Sequence, residues 1–408
     1  MSDSLAPISV GLMGTGEYTT GITPSGQSKS DKKIGVVGVT MFDLRRRGKV
    51  SDVVMAGTNG GKFPEIREHF QKNIGDVYRG LDLSFRGFPE GNLRNAEAYK
   101  DALRALPKGS AVIIFTPDST HFPIASEALN LGHHVLVTKP ATQTLQDHQA
   151  LADLAAEKGL VCFVEHDSTR PTTMPAHVPK SSATSTFTLL PKFQLETFKS
   201  WAGIDSDISY YLNSHHIDGR YRPTRVTASA TTGIATSMGC DPKTEDTITL
   251  LVDWQNLSDE KQRGTAVYTA SWAAPLKAGV HSEQRFHYMA AKVGSKALII
   301  ADGRVRSVLT RRTEATAWSR TRLARPTPDE NGYFDGQRGY GYLSLEKFID
   351  AAREVSAGRS KASDYDGKGL PTIKGTIVTT ALLHAGRISL DEKRTVEIVE
   401  EDGKLKLV

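Results

Sequence analysis

The beginning of the chain restricts its fold most: the apolar run Ile8-Ser9-Val10-Gly11-Leu12-Met13 leads straight into Gly14, Gly16 and Gly21. An apolar run closed by glycine reads as a buried strand. A glycine turn directly behind it lets the backbone reverse and approach a ligand with no Cβ in the way. In an α/β unit such a turn hands over to a helix whose N-terminal amides face an anion, an arrangement that suits a pyrophosphate. The usual G-x-G-x-x-G spacing would place a third glycine at position 19, where this chain has Thr19. Gly14, Thr15, Gly16, Glu17 and Tyr18 are the candidate nucleotide turn.

The first half of the chain repeats this plan. Residues 53–57, 111–115, 135–137 and 160–164 read as further buried strands. Between them, Ile34, Val37, Met41 and Leu44 fall at helical spacing, as do Ile124, Ala125, Ala128 and Leu129, and again Leu145, His148, Leu151 and Leu154. The polar stretch 23–33 is an insertion before or inside the first crossover helix. After residue 220 the period changes. Residues 225–230, 247–254, 265–272 and 285–290 alternate as longer strands of an antiparallel sheet, and helices return at 343–355 and 373–388.

The expected fold class is α/β, an N-terminal Rossmann dinucleotide-binding domain plus a C-terminal α/β domain with an open, mostly antiparallel sheet. At 408 residues the chain exceeds the size at which a single core keeps growing. The domains are expected at 1–165 and 166–408.

Composition removes several function classes. The net charge of +5 comes from 51 basic and 46 acidic residues with no long basic block, so nucleic acid is not an expected partner. Cys162 and Cys240 are the only cysteines and lack metal-ligand spacing, so neither a disulfide framework nor a metal site is expected. No stretch is apolar for long enough to span a bilayer, and the N-terminus lacks a secretory pattern, so a cytoplasmic protein with no membrane partner is expected.

The end of the second strand bears on the cofactor. An acid there would hold the adenosine ribose of NAD and repel a 2′-phosphate. This chain has Thr58-Asn59-Gly60-Gly61-Lys62, which predicts NADP(H), with Lys62 pairing the phosphate and Asn59 hydrogen-bonding it.

Together with Gly14 and Gly16, T-P-D-S-T-H at 116–121 and T-K-P at 138–140 resemble the signatures of the Gfo/Idh/MocA oxidoreductases. The family's usual third signature is E-K-P, so Thr138 replaces the glutamate. The resemblance implies that Thr116, Pro117 and His121 line the cofactor site and that Lys139 reaches nicotinamide and substrate. The family's D-x-x-x-H motif is best matched at Tyr211-Leu212-Asn213-Ser214-His215, with Tyr211 in the aspartate's place. By that resemblance His215 donates a proton to a substrate carbonyl oxygen and Lys139 assists. Tyr210, Asn213 and His216 are the neighbouring candidates for substrate contacts.

More narrowly, G-T-G-E-Y-T-T-G, D-I-S-Y-Y-L-N-S-H-H-I-D and P-D-E-N-G-Y-F-D-G-Q-R-G-Y-G-Y resemble the fungal branch associated with D-galacturonate reductase. That implies a small sugar or sugar-acid substrate, with D-galacturonate reduced to L-galactonate. The competing expectations are an aldose or inositol dehydrogenase and a catalytically inactive nucleotide-binding regulator. A homodimer paired through the sheet of the second domain is implied by the resemblance alone.

Two stretches depart from the branch pattern. Residues 167–190 are dominated by Ser, Thr and Pro, and the pattern stops after Val164-Glu165-His166. Codons permitted for 167–188 can be read in another frame as F-D-P-A-Y-N-D-A-R-T-R-S-Q-K-L-G-D-F-N-F-Y, a helix-then-strand pattern, as a frame-shifted or mis-spliced translation would allow. Residues 293–325 hold many Arg and Thr where the branch expects strands.

Overall fold

The computed structural model describes residues 5–23, 26–28, 32–165, 184–191, 221–237, 239–241, 244–261, 263–271, 282–290, 293–300, 304–310, 328–334, 340–368 and 370–408. His215, Tyr210, Asn213 and His216 lie outside the described residues. The chain divides into two compact units, Met1–Arg170 with Ala324–Thr376, and Pro171–Leu323 with Ile377–Val408.

The first unit is a doubly wound α/β domain. Its elements in the N-terminal part are β1 (Ile8–Met13), α1 (Glu17–Thr20), β2 (Ile22–Thr23), β3 (Gly26–Gln27), α2 (Val36–Arg46), β4 (Val50–Ala56), α3 (Phe63–Phe70), β5 (Arg86–Phe88), α4 (Ala98–Arg104), β6 (Ala111–Ile114), α5 (His121–Asn130), β7 (His134–Thr138), α6 (Leu145–Lys158) and β8 (Cys162–Glu165). Six strands form a parallel sheet in the order β5-β4-β1-β6-β7-β8. Every residue of β1 and β6 is buried, because helices cover both faces and leave no polar alternation in the sequence. Val37, Met41 and Phe42 of α2 pack into one apolar cluster, and Leu103, Ile124, Leu129 and Leu151 of α4, α5 and α6 into the other.

The 23–33 insertion falls inside the first crossover. The short α1 ends at Gly21, the β2–β3 hairpin follows, and α2 resumes the crossover. A Cβ at Gly21 would lie 2.2 Å from the Lys33 carbonyl oxygen, so the excursion closes on itself through a backbone contact that only glycine allows.

A later helix completes this unit. The sequence places everything after residue 165 in the second domain, but α8 (Tyr340–Ser356) packs Tyr342, Leu345, Phe348 and Ile349 into the cluster that holds Val37 and Phe42. Its apolar stripe was legible, whereas the identity of the surface beneath it was not. The Tyr342 hydroxyl donates to Asp43 Oδ2 at 2.6 Å, and Arg46 donates to Asp43 Oδ1 at 2.6 Å. The helix expected over 373–388 also starts later. Ile373 instead donates its N–H to the Cys162 carbonyl at 2.8 Å, so this segment lines the outer edge of β8.

The second unit is a nine-stranded sheet in the order β15-β14-β13-β9-β12-β11-β10-β16-β17. Its members are β9 (Thr184–Pro191), β10 (Tyr221–Thr232), the short α7 (Ile234–Ser237), β11 (Glu245–Asn256), β12 (Arg263–Ser271), β13 (Ser282–Ala290), β14 (Val293–Ile300), β15 (Arg304–Thr310), α9 (Ile377–Glu392), β16 (Val396–Glu401) and β17 (Lys404–Leu407). All neighbours are antiparallel except β9 and β12. Val226, Ile248, Leu250, Val252, Trp254 and Tyr268 form its core with Leu382, Leu383 and Ala385 of α9. On the alternate positions, hydroxyls pair across the strands, Thr247 with Ser271 at 2.7 Å and Thr249 with Thr269 at 3.0 Å.

Both stretches that depart from the branch pattern contain strands. β9 lies within the run that begins at residue 167, and β14 and β15 occupy much of 293–325. Among the described residues no helix is long and apolar enough to cross a membrane.

Candidate functional site

The parallel register brings the candidate turns to one edge of the first unit's sheet. Met13 at the end of β1 is level with Ala56 of β4 and Ile114 of β6, and Ile114 is level with Val137 of β7. The chain leaves β1 toward β4 on one side and later returns to β6 on the other. That reversal opens a crevice beyond the strand ends, the position where doubly wound sheets bind nucleotides.

Gly14 has φ +108°, and a Cβ there would lie 2.0 Å from the Phe115 carbonyl oxygen, so the turn admits glycine alone. Gly16 is exposed, and a Cβ there would meet nothing within 4 Å, which leaves space above the start of α1. Thr15 is packed sideways against β4: a Cβ at Gly57 would lie 2.8 Å from its Cγ2. Thr19 takes the place of the third glycine at only 1% exposure. Close packing is restored from α2, where Cβ atoms at Gly35 and Gly38 would lie 2.5 and 2.8 Å from the Thr19 carbonyl oxygen. Glu17 accepts from the Ser28 hydroxyl, and Tyr18 stacks on Phe115 at 5.7 Å with Lys32 Nζ 4.9 Å from its ring centre.

Beyond β4, Asn59 folds its side chain back to accept from the Gly61 N–H at 3.1 Å. Lys62 is exposed at the start of α3. Thr58 occupies the strand-end position of a ribose-binding acid and is exposed. These residues fit a dinucleotide: a glycine turn with open space, no carboxylate at the ribose position, and a cation nearby.

The turns after β6 and β7 are held together by His121. It is 0% exposed, with the Pro140 carbonyl oxygen 2.8 Å from Nδ1 and the Thr116 carbonyl oxygen 2.9 Å from Nε2. A ring so enclosed presents no surface to a ligand, so the expectation that His121 lines the cofactor site is corrected: it positions the two turns. Pro117 is exposed, and Thr116 and Lys139 are partly so. The Thr120 hydroxyl lies 2.7 Å from Thr116 Oγ1 and 2.6 Å from the Pro117 carbonyl, which fixes the T-P-D-S-T-H turn locally.

Sequence reasoning passed over Glu165 as a site residue. It is level with Thr138 across β7 and β8 and is 8% exposed, so a buried carboxylate stands one strand away from the position where the family's E-K-P signature has its own. The signal was present in Val164-Glu165-His166, but only strand register assigns it to this edge.

Other reactive groups belong to the framework. Burial pushes the Cys162 thiol up to about 12, which makes it unreactive. Burial, with His133 beside it, pushes His134 down to about 4; burial likewise pushes His148 down to about 4, against the hydrogen bond to the Ile373 carbonyl. A cleft on the second unit is lined by Arg222, Arg225, Arg263, Glu397 and Glu400, but Arg222 pairs with Glu400 at 3.7 Å and Arg225 with Asp253 at 2.6 Å, so the surface largely neutralises itself. No cluster of metal-ligating side chains occurs among the described residues.

Residues 85–166 match the family described as "Oxidoreductase family, NAD-binding Rossmann fold", GFO_IDH_MocA. Over 61 residues the chain is 44% identical to the uncharacterized oxidoreductase YdgJ of Escherichia coli strain K12, covering 15% of this chain and 18% of that protein. It is 42% identical over 66 residues to the UDP-N-acetylglucosamine 3-dehydrogenase of Acidithiobacillus ferrooxidans, covering 16% of this chain and 20% of the relative. The aligned stretches thus span about a fifth of these relatives. Among solved structures, the WlbA dehydrogenase from Bordetella pertussis in complex with NADH and UDP-GlcNAcA has a TM-score of 0.60 at 14% identity, over 97% of this chain and 99% of its own. An inositol dehydrogenase homologue from Azotobacter vinelandii, complexed with NADH and myo-inositol, gives 0.59 at 17% identity, over 96% and 98%. At such identities the likeness establishes the fold alone, a Rossmann-type parallel α/β sheet followed by a mostly antiparallel sheet. The matched residues 85–166 contain both the T-P-D-S-T-H and the T-K-P turns.

Proposed function

We propose that the chain is an NADP(H)-dependent reductase of a sugar acid, with D-galacturonate reduced to L-galactonate as the leading reaction. The observation that carries the oxidoreductase reading is the placement of Lys139 on the same sheet edge as the Gly14–Gly16 turn, one strand beyond β6. The absence of an acid at Thr58, with Lys62 following, supports the 2′-phosphorylated cofactor. The uronate rests on the branch resemblance alone.

When bound, a reduced nicotinamide supplies the hydride. Lys139 orients the substrate carbonyl by hydrogen bonding, and His215 delivers a proton to its oxygen as the carbon accepts the hydride. His121 keeps the Lys139 turn in register with Thr116 without touching substrate. Tyr210, Asn213 and His216 are assigned to substrate hydroxyls and carboxylate, and the second unit's sheet to pairing two copies.

One segment of the branch resemblance has a packing role instead of a site role. Phe334 of P-D-E-N-G-Y-F is 3% exposed, its ring lies 5.0 Å from Tyr78, and its carbonyl accepts from Arg46 at 3.1 Å. Phe334 therefore gives no support to a choice of substrate. A second reading, NAD-linked oxidation of a ring hydroxyl, is favoured by neighbours solved with NADH and with myo-inositol or a UDP-sugar.

The test is NADPH oxidation by the purified chain with D-galacturonate against a panel of neutral sugars and inositols. Turnover selective for the uronate, reduced by roughly a hundredfold or more in Lys139→Ala with nucleotide binding kept, is the expected result. NAD+ reduction with a neutral sugar would replace it with the second reading. Nucleotide binding without any turnover would leave a regulator.

A further inference from the structure

We infer that Arg94 is a second cation for the adenosine 2′-phosphate, presented beside Lys62 by the return loop 89–95, and that it sets the preference for NADP(H) over NAD(H). The inference rests on the NADP(H) reading above and adds a residue that no motif selects, since Arg94 stands 32 positions beyond Lys62.

The return loop is clamped to the β4 turn by backbone bonds on either side of Arg94. Gly60 donates its N–H to the Leu93 carbonyl at 2.9 Å, and Asn95 donates to the Thr58 carbonyl at 3.0 Å. Asn59 and Arg94 therefore face each other as an antiparallel bridge. Bonds at the flanking residues make this the non-hydrogen-bonded kind of pair, at which opposed side chains leave the same face and stand closest. Arg94 is thus carried on the side of the turn that bears Asn59.

The approach is too tight for the loop to be elsewhere. A Cβ at Gly60 would lie 2.4 Å from the carbonyl oxygens of both Pro89 and Gly91, and one at Gly61 would lie 3.3 Å from Asn92 Oδ1. Glycines at 60 and 61 thus serve the docking of 89–95, in addition to any role toward a ligand.

Charge and position agree. Arg94 and Lys62 are exposed, and among the described residues neither side chain is in a hydrogen bond or ion pair. Thr58 and Asn59 on the turn and Asn92 on the loop are neutral, Glu90 is the loop's one carboxylate and stands four residues before Arg94, and α3 begins at Phe63, adding the positive end of a helix to the same turn. The turn abuts the nucleotide turn through Gly57 and Thr15. An arginine fork offers two parallel donors to a phosphate, which a lone lysine cannot supply. The structure thus assigns phosphate geometry to Arg94 and added positive charge to Lys62.

The test measures binding, with no sugar present: dissociation constants of NADP+ and NAD+ by calorimetry for wild type, Arg94→Ala, Arg94→Lys and Lys62→Ala. Wild type is expected to prefer NADP+. Arg94→Ala should weaken NADP+ roughly tenfold to a hundredfold while changing NAD+ by less than about twofold, with Arg94→Lys intermediate. A companion measurement needs no variant: the wild-type affinity for adenosine 2′,5′-bisphosphate should exceed that for AMP and fall more steeply with salt. Equal loss for both nucleotides in Arg94→Ala, unchanged NADP+ affinity, or a wild type indifferent to the 2′-phosphate would overturn the proposal. Because no substrate is involved, a chain that turns over no sugar still answers the question.

Discussion

The two units use β-structure in opposite ways. In the first, β1 and β6 are buried along their whole length, so the strands carry no functional side chains and chemistry is confined to the turns beyond their ends. In the second, β11 alternates between buried Ile248, Leu250, Val252 and Trp254 and the more accessible Thr249, Leu251 and Asp253, so one face serves the core and the other carries the more accessible side chains. A fully buried sheet therefore has its site dictated by backbone demands such as glycine and strand register. A half-buried sheet leaves that choice to side chains that no backbone rule selects.

The sharpest way to break this contrast is to place one methyl group on a positive-φ glycine in each unit. In Gly14→Ala the new Cβ would fall 2.0 Å from the Phe115 carbonyl oxygen, in a backbone that L residues rarely adopt. A loss above about 4 kcal/mol, with nucleotide binding abolished, is expected. Gly403 has φ +72° in the β16–β17 turn with nothing within 4 Å of a Cβ, so Gly403→Ala should cost about 1 kcal/mol. Urea unfolding checks both, and comparable losses would remove the distinction.

Acid should weaken the first unit next. Burial holds His134 and His148 down to about 4, against an ordinary value near 6.5. Below about pH 6.5 the unfolded chain takes up protons that the folded unit refuses, so stability is full above that value and declines as pH falls toward 4. Each histidine then accounts for about 3 kcal/mol. Unfolding midpoints between pH 7 and 4.5 measure the decline. A flat profile across that window would mean that these rings are not buried as described.

A smaller effect tests the seam between α2 and α8. Tyr342 donates to Asp43 at 2.6 Å, and its hydroxyl accepts from Arg47 at 2.6 Å; burial and the neighbouring Asp43 both push the phenol pKa up. Tyr342→Phe leaves the ring packed but strips a partner from a carboxylate that is nearly inaccessible. The expected loss is about 1.5 kcal/mol, read from the same urea curves.

These residues also mark how far sequence alone reached. Gly14 and the strand that precedes it were legible because a reversal at a strand end tolerates one residue type, and the position of Lys139 just beyond β7 was legible from the apolar run before it. Arg94 was not, because its importance depends on a bridge to Asn59 across 35 positions. His121 was recognised but given the wrong kind of role, since a motif cannot say whether a ring faces solvent or two carbonyls. Periodicity found α8, yet assigned it to the wrong unit, because an apolar stripe specifies a need for cover and not the partner that provides it. The catalytic pairing of Lys139 with His215 stays a proposal for the same reason: it joins distant segments.

The mildest substitution examines the face of the second unit's sheet that is turned away from α9. Thr249 and Thr269 share a hydroxyl–hydroxyl bond of 3.0 Å across β11 and β12, on the face away from α9. Replacing Thr249 by valine removes one half-buried hydrogen bond but keeps a β-branched side chain suited to a strand, so these effects nearly cancel. A change below about 0.5 kcal/mol, independent of protein concentration, is expected if this face meets only water. The pairing of two copies proposed for this sheet predicts otherwise: burying the Thr249–Thr269 pair at an interface would make the melting temperature rise with concentration and make the valine variant alter that dependence. A concentration series on wild type and Thr249→Val therefore decides whether this face pairs two copies.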